Sequence, residues 1–109
     1  MKHFSFAIMA AVLITPLVMP SASEAAEYVI TQKDLKFHPV IKVVKPGDSV
    51  RFKNNDNVVH NIISLTDEFE FDLGKFKPGM TKNVKFEHKG VVDVQCTIHP
   101  EMKMTIFVF

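Results

Sequence analysis

Lys45-Pro46-Gly47-Asp48-Ser49-Val50-Arg51-Phe52-Lys53 reads as a tight turn running straight into a strand. Proline presets one turn position and glycine supplies a positive φ at the next. From Ser49 onward, outward Ser49, Arg51 and Lys53 alternate with inward Val50 and Phe52, the period-two pattern of a half-buried β-strand. The same grammar extends in both directions. Upstream, Tyr28–Thr31 is one strand and Phe37–Val44 another, in which Pro39 signals an edge or a bulge. Downstream, Asn54-Asn55-Asp56-Asn57 reads as a polar loop and Val58–Ser64 as a strand carrying His60 and Asn61. Strict alternation over 68–73 puts Phe69, Phe71 and Leu73 on one face, with Gly74 expected to end the strand. Lys77-Pro78-Gly79-Met80 repeats the turn chemistry, Thr81–Phe86 follows, and Gly90 turns the chain into Val91–Cys96. Met102–Phe109 is the last strand.

No window reads as a long amphipathic helix. Seven to eight short strands, with turn signals every eight to twelve residues, have the spacing of an all-β, Greek-key antiparallel sandwich. The eight phenylalanines beyond residue 25 let such a core hold without a disulfide.

The first quarter of the 109 residues has a different character. Met1-Lys2-His3 is a short basic start, residues 4–19 carry no charge, and Pro20-Ser21-Ala22-Ser23 leads to Ala25-Ala26. Basic head, apolar middle and small-residue exit are the parts of a secretory signal peptide. The sixteen-residue run is shorter than the roughly 20 residues of a spanning helix. Residues 1–25 are therefore expected to be a leader cut after Ala25, with Ala26 and Ala22 as alternative sites. Without a cysteine near the cut, no lipoprotein anchor is expected. Residues 26–109 are then a single domain, exported to the periplasm and not inserted in the membrane.

Removing the leader takes away one lysine and one acid, so the net charge of +1 persists. Scattered charges of that balance do not make the concentrated basic surface that nucleic acid requires. An apolar content of 47% at regular spacing excludes disorder, and the length excludes a multidomain enzyme.

Cys96 is the sole cysteine. Exported small domains usually carry cysteines in pairs, so an odd one is an intermolecular link, an inert buried thiol or a ligand. Its neighbours decide. Cys96-Thr97-Ile98-His99-Pro100-Glu101-Met102 offers a thiolate, an imidazole three residues on and a thioether three residues later, within one loop. His60 lies on a strand that a Greek-key sandwich can bring alongside. Two histidines, one cysteine and a weak axial methionine are the blue-copper set. Structural zinc prefers Cys and His alone, and iron–sulfur clusters need more cysteines. One copper per chain is thus expected on His60, Cys96, His99 and Met102. Met104, on the same strand face as Met102, is the rival axial donor.

These segments resemble the cupredoxins, nearest their amicyanin and plastocyanin branch. The resemblance rests on the Lys45–Val50 turn, the asparagine-rich loop, Val59-His60-Asn61, Gly90, and Cys96-Thr97-x-His99-Pro100-x-Met102, in that order. It covers residues 37–108. It implies that His60 and His99 are imidazole ligands, Cys96 the thiolate and Met102 the axial ligand. Asn61 would brace the ligand loops and lend its backbone amide to the thiolate. Two features depart from the pattern: Ile98 stands where that branch usually has proline, and Met104 supplies the second axial candidate.

The function expected is a one-electron carrier cycling Cu(II) and Cu(I), not an enzyme, acting as a monomer. The alternatives are a periplasmic copper carrier or storage protein and a metal-free interaction module. The resemblance implies redox partner proteins, a dehydrogenase or a cytochrome, and no nucleic acid. Asp67, Glu68, Glu70 and Asp72 read as a solvated face, with an acidic docking patch as the sharper alternative. His38 and His88 read as surface residues, and the resemblance implies that Pro100 belongs to an apolar rim beside His99.

Overall fold

The alternating segments form nine strands in the computed structural model, which describes residues 2–5, 7–18 and 24–109. Residues 20–23 of the expected leader exit lie outside the described residues. Among those described, no helix is long and apolar enough to cross a membrane.

The strands are β1 (Glu27–Lys33), β2 (Lys36–His38), β3 (Ile41–Val44), β4 (Ser49–Asn54), β5 (His60–Ser64), β6 (Phe71–Phe76), β7 (Thr81–Lys85), β8 (Gly90–Gln95) and β9 (Lys103–Val108). They make two sheets, ordered β2-β1-β4-β7 and β3-β9-β8-β5-β6. After the β5–β6 hairpin the chain crosses to the first sheet as β7. It then returns as β8 beside β5, the Greek-key return. The all-β sandwich is as expected; three details differ.

First, Phe37–Val44 is two strands, which brings the number to nine. Backbone pairing stops at a cis His38–Pro39 bond, β2 joins one sheet and β3 the other. Proline has no N–H to give a ladder, so the crossing falls there. Second, the sheets are mixed, not purely antiparallel: β1 pairs β4 in parallel, as β3 does β9. Residues 34–48, holding β2 and β3, supply the long crossover that a parallel pair needs. Third, the 68–73 segment is shifted. Glu68 takes φ 69° and the Phe69 N–H donates to the Thr66 carbonyl, so this part is a turn. Gly74 does not end β6. At φ 73° it sits in a bulge, where Leu73 and Gly74 together face Ile62 across the β5–β6 register shift.

The core lies between the sheets. Val50 and Phe52 of β4 point inward as alternation requires, against Ile62, Val92, Val94 and Ile106 of the other sheet. Phe37, Phe52, Phe76 and Phe86 are almost completely enclosed. Each contributes about 1.5–3 kcal/mol of transfer free energy, which is how the fold holds without a disulfide. At one pole the Lys45–Asp48 turn closes on Asp48, whose carboxylate accepts from the Lys45 and Ala26 backbone amides at 2.8 Å each. These amides hold its carboxyl below the ordinary aspartate value. The opposite pole carries the β1–β2 turn, the β4–β5 loop and the β8–β9 loop.

Candidate metal centre

The β4–β5 loop is wound around a buried amide. Asn54 donates from Nδ2 to the Val58 and Phe76 carbonyls at 2.9 Å each, and its Oδ1 accepts from the Asp56 N–H at 2.8 Å. This fixes the point where β5 begins and turns the first side chain of that strand, His60, fully inward. The stretch 54–57, expected as a polar loop, therefore buries two of its polar side chains, Asn54 and Asp56.

The β8–β9 loop is closed by its own backbone. Cys96 N–H donates to the Met102 carbonyl at 3.0 Å, and Met102 N–H to the His99 carbonyl at 2.9 Å. Gln95 pairs with Lys103, so Cys96 and Met102 face each other one step further along, both buried inward. Met104 is two pairs deeper, opposite Val94.

These two loops bring three donors to one point. His60 Nδ1 and His99 Nδ1 are 3.1 Å apart, and Cys96 Sγ is 3.8 Å from the first and 3.9 Å from the second. The point equidistant from the corners of a triangle with sides 3.1, 3.8 and 3.9 Å lies inside it, about 2.1 Å from each atom. First-row metal bonds to imidazole and thiolate are about 2.0–2.3 Å long. The donor atoms are therefore spaced so that all three could hold one ion, and a mixed imidazole–thiolate set beside a buried thioether suits copper.

Two of the three corners are held from behind. His60 Nε2 lies 2.7 Å from Asp56 Oδ2, so the carboxylate accepts the ring N–H and Nδ1 is left facing the centre. Asp56 is 9% exposed and also accepts the backbone amides of Asp34 and Leu35, at 2.7 and 3.1 Å. Burial pushes its carboxyl up, but the His60 hydrogen bond and the two amides outweigh this and hold it below the ordinary aspartate value. Asn61 makes the contacts expected of it. Its N–H points at Cys96 Sγ at 3.5 Å, its Nδ2 donates to Thr97 Oγ1 at 2.5 Å, and its Oδ1 accepts the Thr97 N–H at 2.7 Å. Gln32, fully buried on β1, donates to the Asn61 carbonyl at 3.3 Å and ties the two sheets together behind the centre.

His60 and Cys96 are enclosed, whereas His99 is only half-buried. Around it Ile98, Val58 and Val59 stand 48%, 40% and 38% exposed, and Pro100 is exposed. His38 and His88 are surface residues outside the cluster. Asp67, Glu68, Glu70 and Asp72 are all exposed, spread over a turn and the start of β6. Sequence reasoning missed Asp56 and Gln32. A carboxylate four residues before a ligand-type histidine is the one signal that pointed to the former.

Comparison with known proteins agrees with this geometry. The model of the copper binding proteins, plastocyanin/azurin family, matches residues 24–109. The methylamine utilization protein MauL of Methylophilus methylotrophus is 30% identical over 96 residues, covering 85% of this chain. This chain spans only 55% of that relative's length. Chloroplastic plastocyanin of Pisum sativum is 29% identical over 112 residues, covering 91% of this chain and 66% of the relative. Among solved structures, a Cu(I) form of an amicyanin variant superposes with a TM-score of 0.71 at 23% identity, covering 76% of this chain and 82% of that one. The chain thus belongs to the plastocyanin/azurin family of copper-binding proteins, the cupredoxins, and its metal is copper.

Proposed function

We propose that the protein is a periplasmic one-electron carrier in which His60, Cys96, His99 and Met102 would hold a single copper. The observation that carries this reading is the donor triangle, with its centre about 2.1 Å from two imidazole nitrogens and one thiol sulfur. Bound there, copper supplies a Cu(II)/Cu(I) couple. The chain's own contribution is to hold the donors still. Asp56 fixes the His60 ring, Asn61 clamps the Cys96 loop to β5, and the Asn61 amide draws electron density from the sulfur. Donors fixed by the fold need little rearrangement when the charge changes.

Met102 is favoured over Met104 because it faces Cys96 across the loop, whereas Met104 faces Val94. His99 is the route for the electron, since its half-exposed ring reaches a rim of apolar side chains on which a partner can seat. Partners are redox proteins, a dehydrogenase or a cytochrome. Residues 1–25 are read as the leader that delivers the chain to the periplasm, on their basic-apolar-small pattern.

The test is visible absorption and electron paramagnetic resonance of the purified protein titrated with Cu(II). One equivalent should give an intense blue band and a narrow copper hyperfine splitting, both lost in Cys96→Ala. A colourless protein that takes up only Cu(I) would overturn electron transfer in favour of copper carriage or storage.

A further inference from the structure

We infer that Asp56 is a positioning residue of the copper centre, which sets the His60 tautomer and weights the site toward the oxidised metal. The inference rests on the copper reading above and goes further, because it assigns a role to a side chain outside the ligand set.

The geometry is unusual in how fully this carboxylate is committed. Oδ2 accepts from His60 Nε2 at 2.7 Å and from the Leu35 N–H at 3.1 Å, and Oδ1 accepts from the Asp34 N–H at 2.7 Å. Its own N–H is taken by Asn54 Oδ1 at 2.8 Å. Asp34 and Leu35 form the β1–β2 turn with φ of 52° and 56°, so both of their amides point to the same side. A turn in one sheet thereby grips a carboxylate that in turn grips a ligand-type histidine in the other. The side chain has no freedom to swing away, and it lies where water does not screen it.

Two consequences follow. An acceptor on Nε2 requires the proton there, which leaves the Nδ1 lone pair free for the metal without a tautomer shift. A negative charge one imidazole away from the metal, in a buried setting, interacts more strongly with the 2+ ion than with the 1+ ion. Asp56 therefore strengthens Cu(II) binding more than Cu(I) binding, and lowers the reduction potential relative to a neutral isostere.

Asp56→Asn is the natural variant. It keeps the size of the side chain and removes the charge, and its amide can serve the backbone donors only in part. Ligand partners of this kind are worth about 10–100-fold in metal affinity. At neutral pH, Cu(II) affinity of D56N should fall by about that factor, Cu(I) affinity by clearly less, and the potential measured by voltammetry should rise accordingly. A purely structural role lowers both affinities equally and leaves the potential in place, which would overturn the inference.

A second measurement needs neither copper nor a variant. The 15N spectrum of the metal-free wild-type protein should show His60 protonated at Nε2, with that proton slow to exchange. A freely exchanging or Nδ1-protonated ring refutes the positioning role even if D56N does not fold. Because the spectrum is taken without metal, it also separates failure of this inference from failure of the copper reading.

Discussion

Asn61→Ala isolates the clamp between β5 and the Cys96 loop. Its side chain makes two hydrogen bonds, both to Thr97, at 2.5 and 2.7 Å. At about 0.5–1.5 kcal/mol each, the pair is worth about 1–3 kcal/mol. Thr97 is exposed, so water recovers part of the loss and the lower half of that range applies, about 1–2 kcal/mol. For a domain of this size each kcal/mol lowers Tm by about 4–8 °C, so the variant should melt about 5–15 °C below wild type. The assay is thermal and urea unfolding of the metal-free protein, which keeps metal affinity out of the comparison. The urea m value should be unchanged, because the change breaks a surface clamp and does not alter the area exposed on unfolding. The N–H that points at Cys96 Sγ belongs to the backbone of residue 61 and survives the substitution. Copper loaded into N61A should thus still be blue, while dissociating faster because the loop is untethered. A metal-free N61A that melts within about 2 °C of wild type would refute the clamp, since even one net hydrogen bond should move Tm further.

Phe52→Ala removes a fully buried ring at the centre of the sandwich and should cost about 3–5 kcal/mol in urea unfolding, enough to leave a marginal fold. Met102→Leu and Met104→Leu are volume-conserving and should each cost less than about 1.5 kcal/mol. The absorption spectrum and potential of the copper protein should change in M102L and stay put in M104L. Asp48→Asn bears on acid stability. The folded carboxyl titrates below the ordinary aspartate value of 3.8, so its stabilisation is complete above that value and is lost as the pH falls through the lowered folded value. The gap in urea midpoint between wild type and D48N should therefore be full at about pH 6 and narrow toward about pH 3.

What the sequence made legible follows from chemistry that is local. The Lys45–Asp48 turn and the alternation after it are encoded within a few residues, and Val50, Phe52, Arg51 and Lys53 stand on the faces that alternation assigns. Cys96 and His99 share a loop whose spacing is visible in the chain, and His60 was reachable through the Greek-key return. Strand direction was not legible, because a period of two is the same for a parallel or antiparallel neighbour; β1 with β4 and β3 with β9 came out parallel. Gly74 looked like a stop because glycine ends strands as readily as it permits a bulge, and only the register with β5 decides between them. Asp56 hid in a run of polar residues. Its burial is created by the β1–β2 turn packing over it, a contact between residues 21 and 22 positions apart.

The place of β9 has a consequence for how the molecule comes into being. It is the ninth of the nine described strands, yet it lies inside its sheet, between β3 and β8. Cys96, His99 and Met102 all follow His60 by thirty-six residues or more. A growing polypeptide emerges amino end first, so β3 waits without its neighbour, and His60 without its companions, until the residues from Cys96 onward have been made. No partial chain can assemble the donor triangle. The closing of the sheet and the completion of the donor set thus fall to the same stretch of chain.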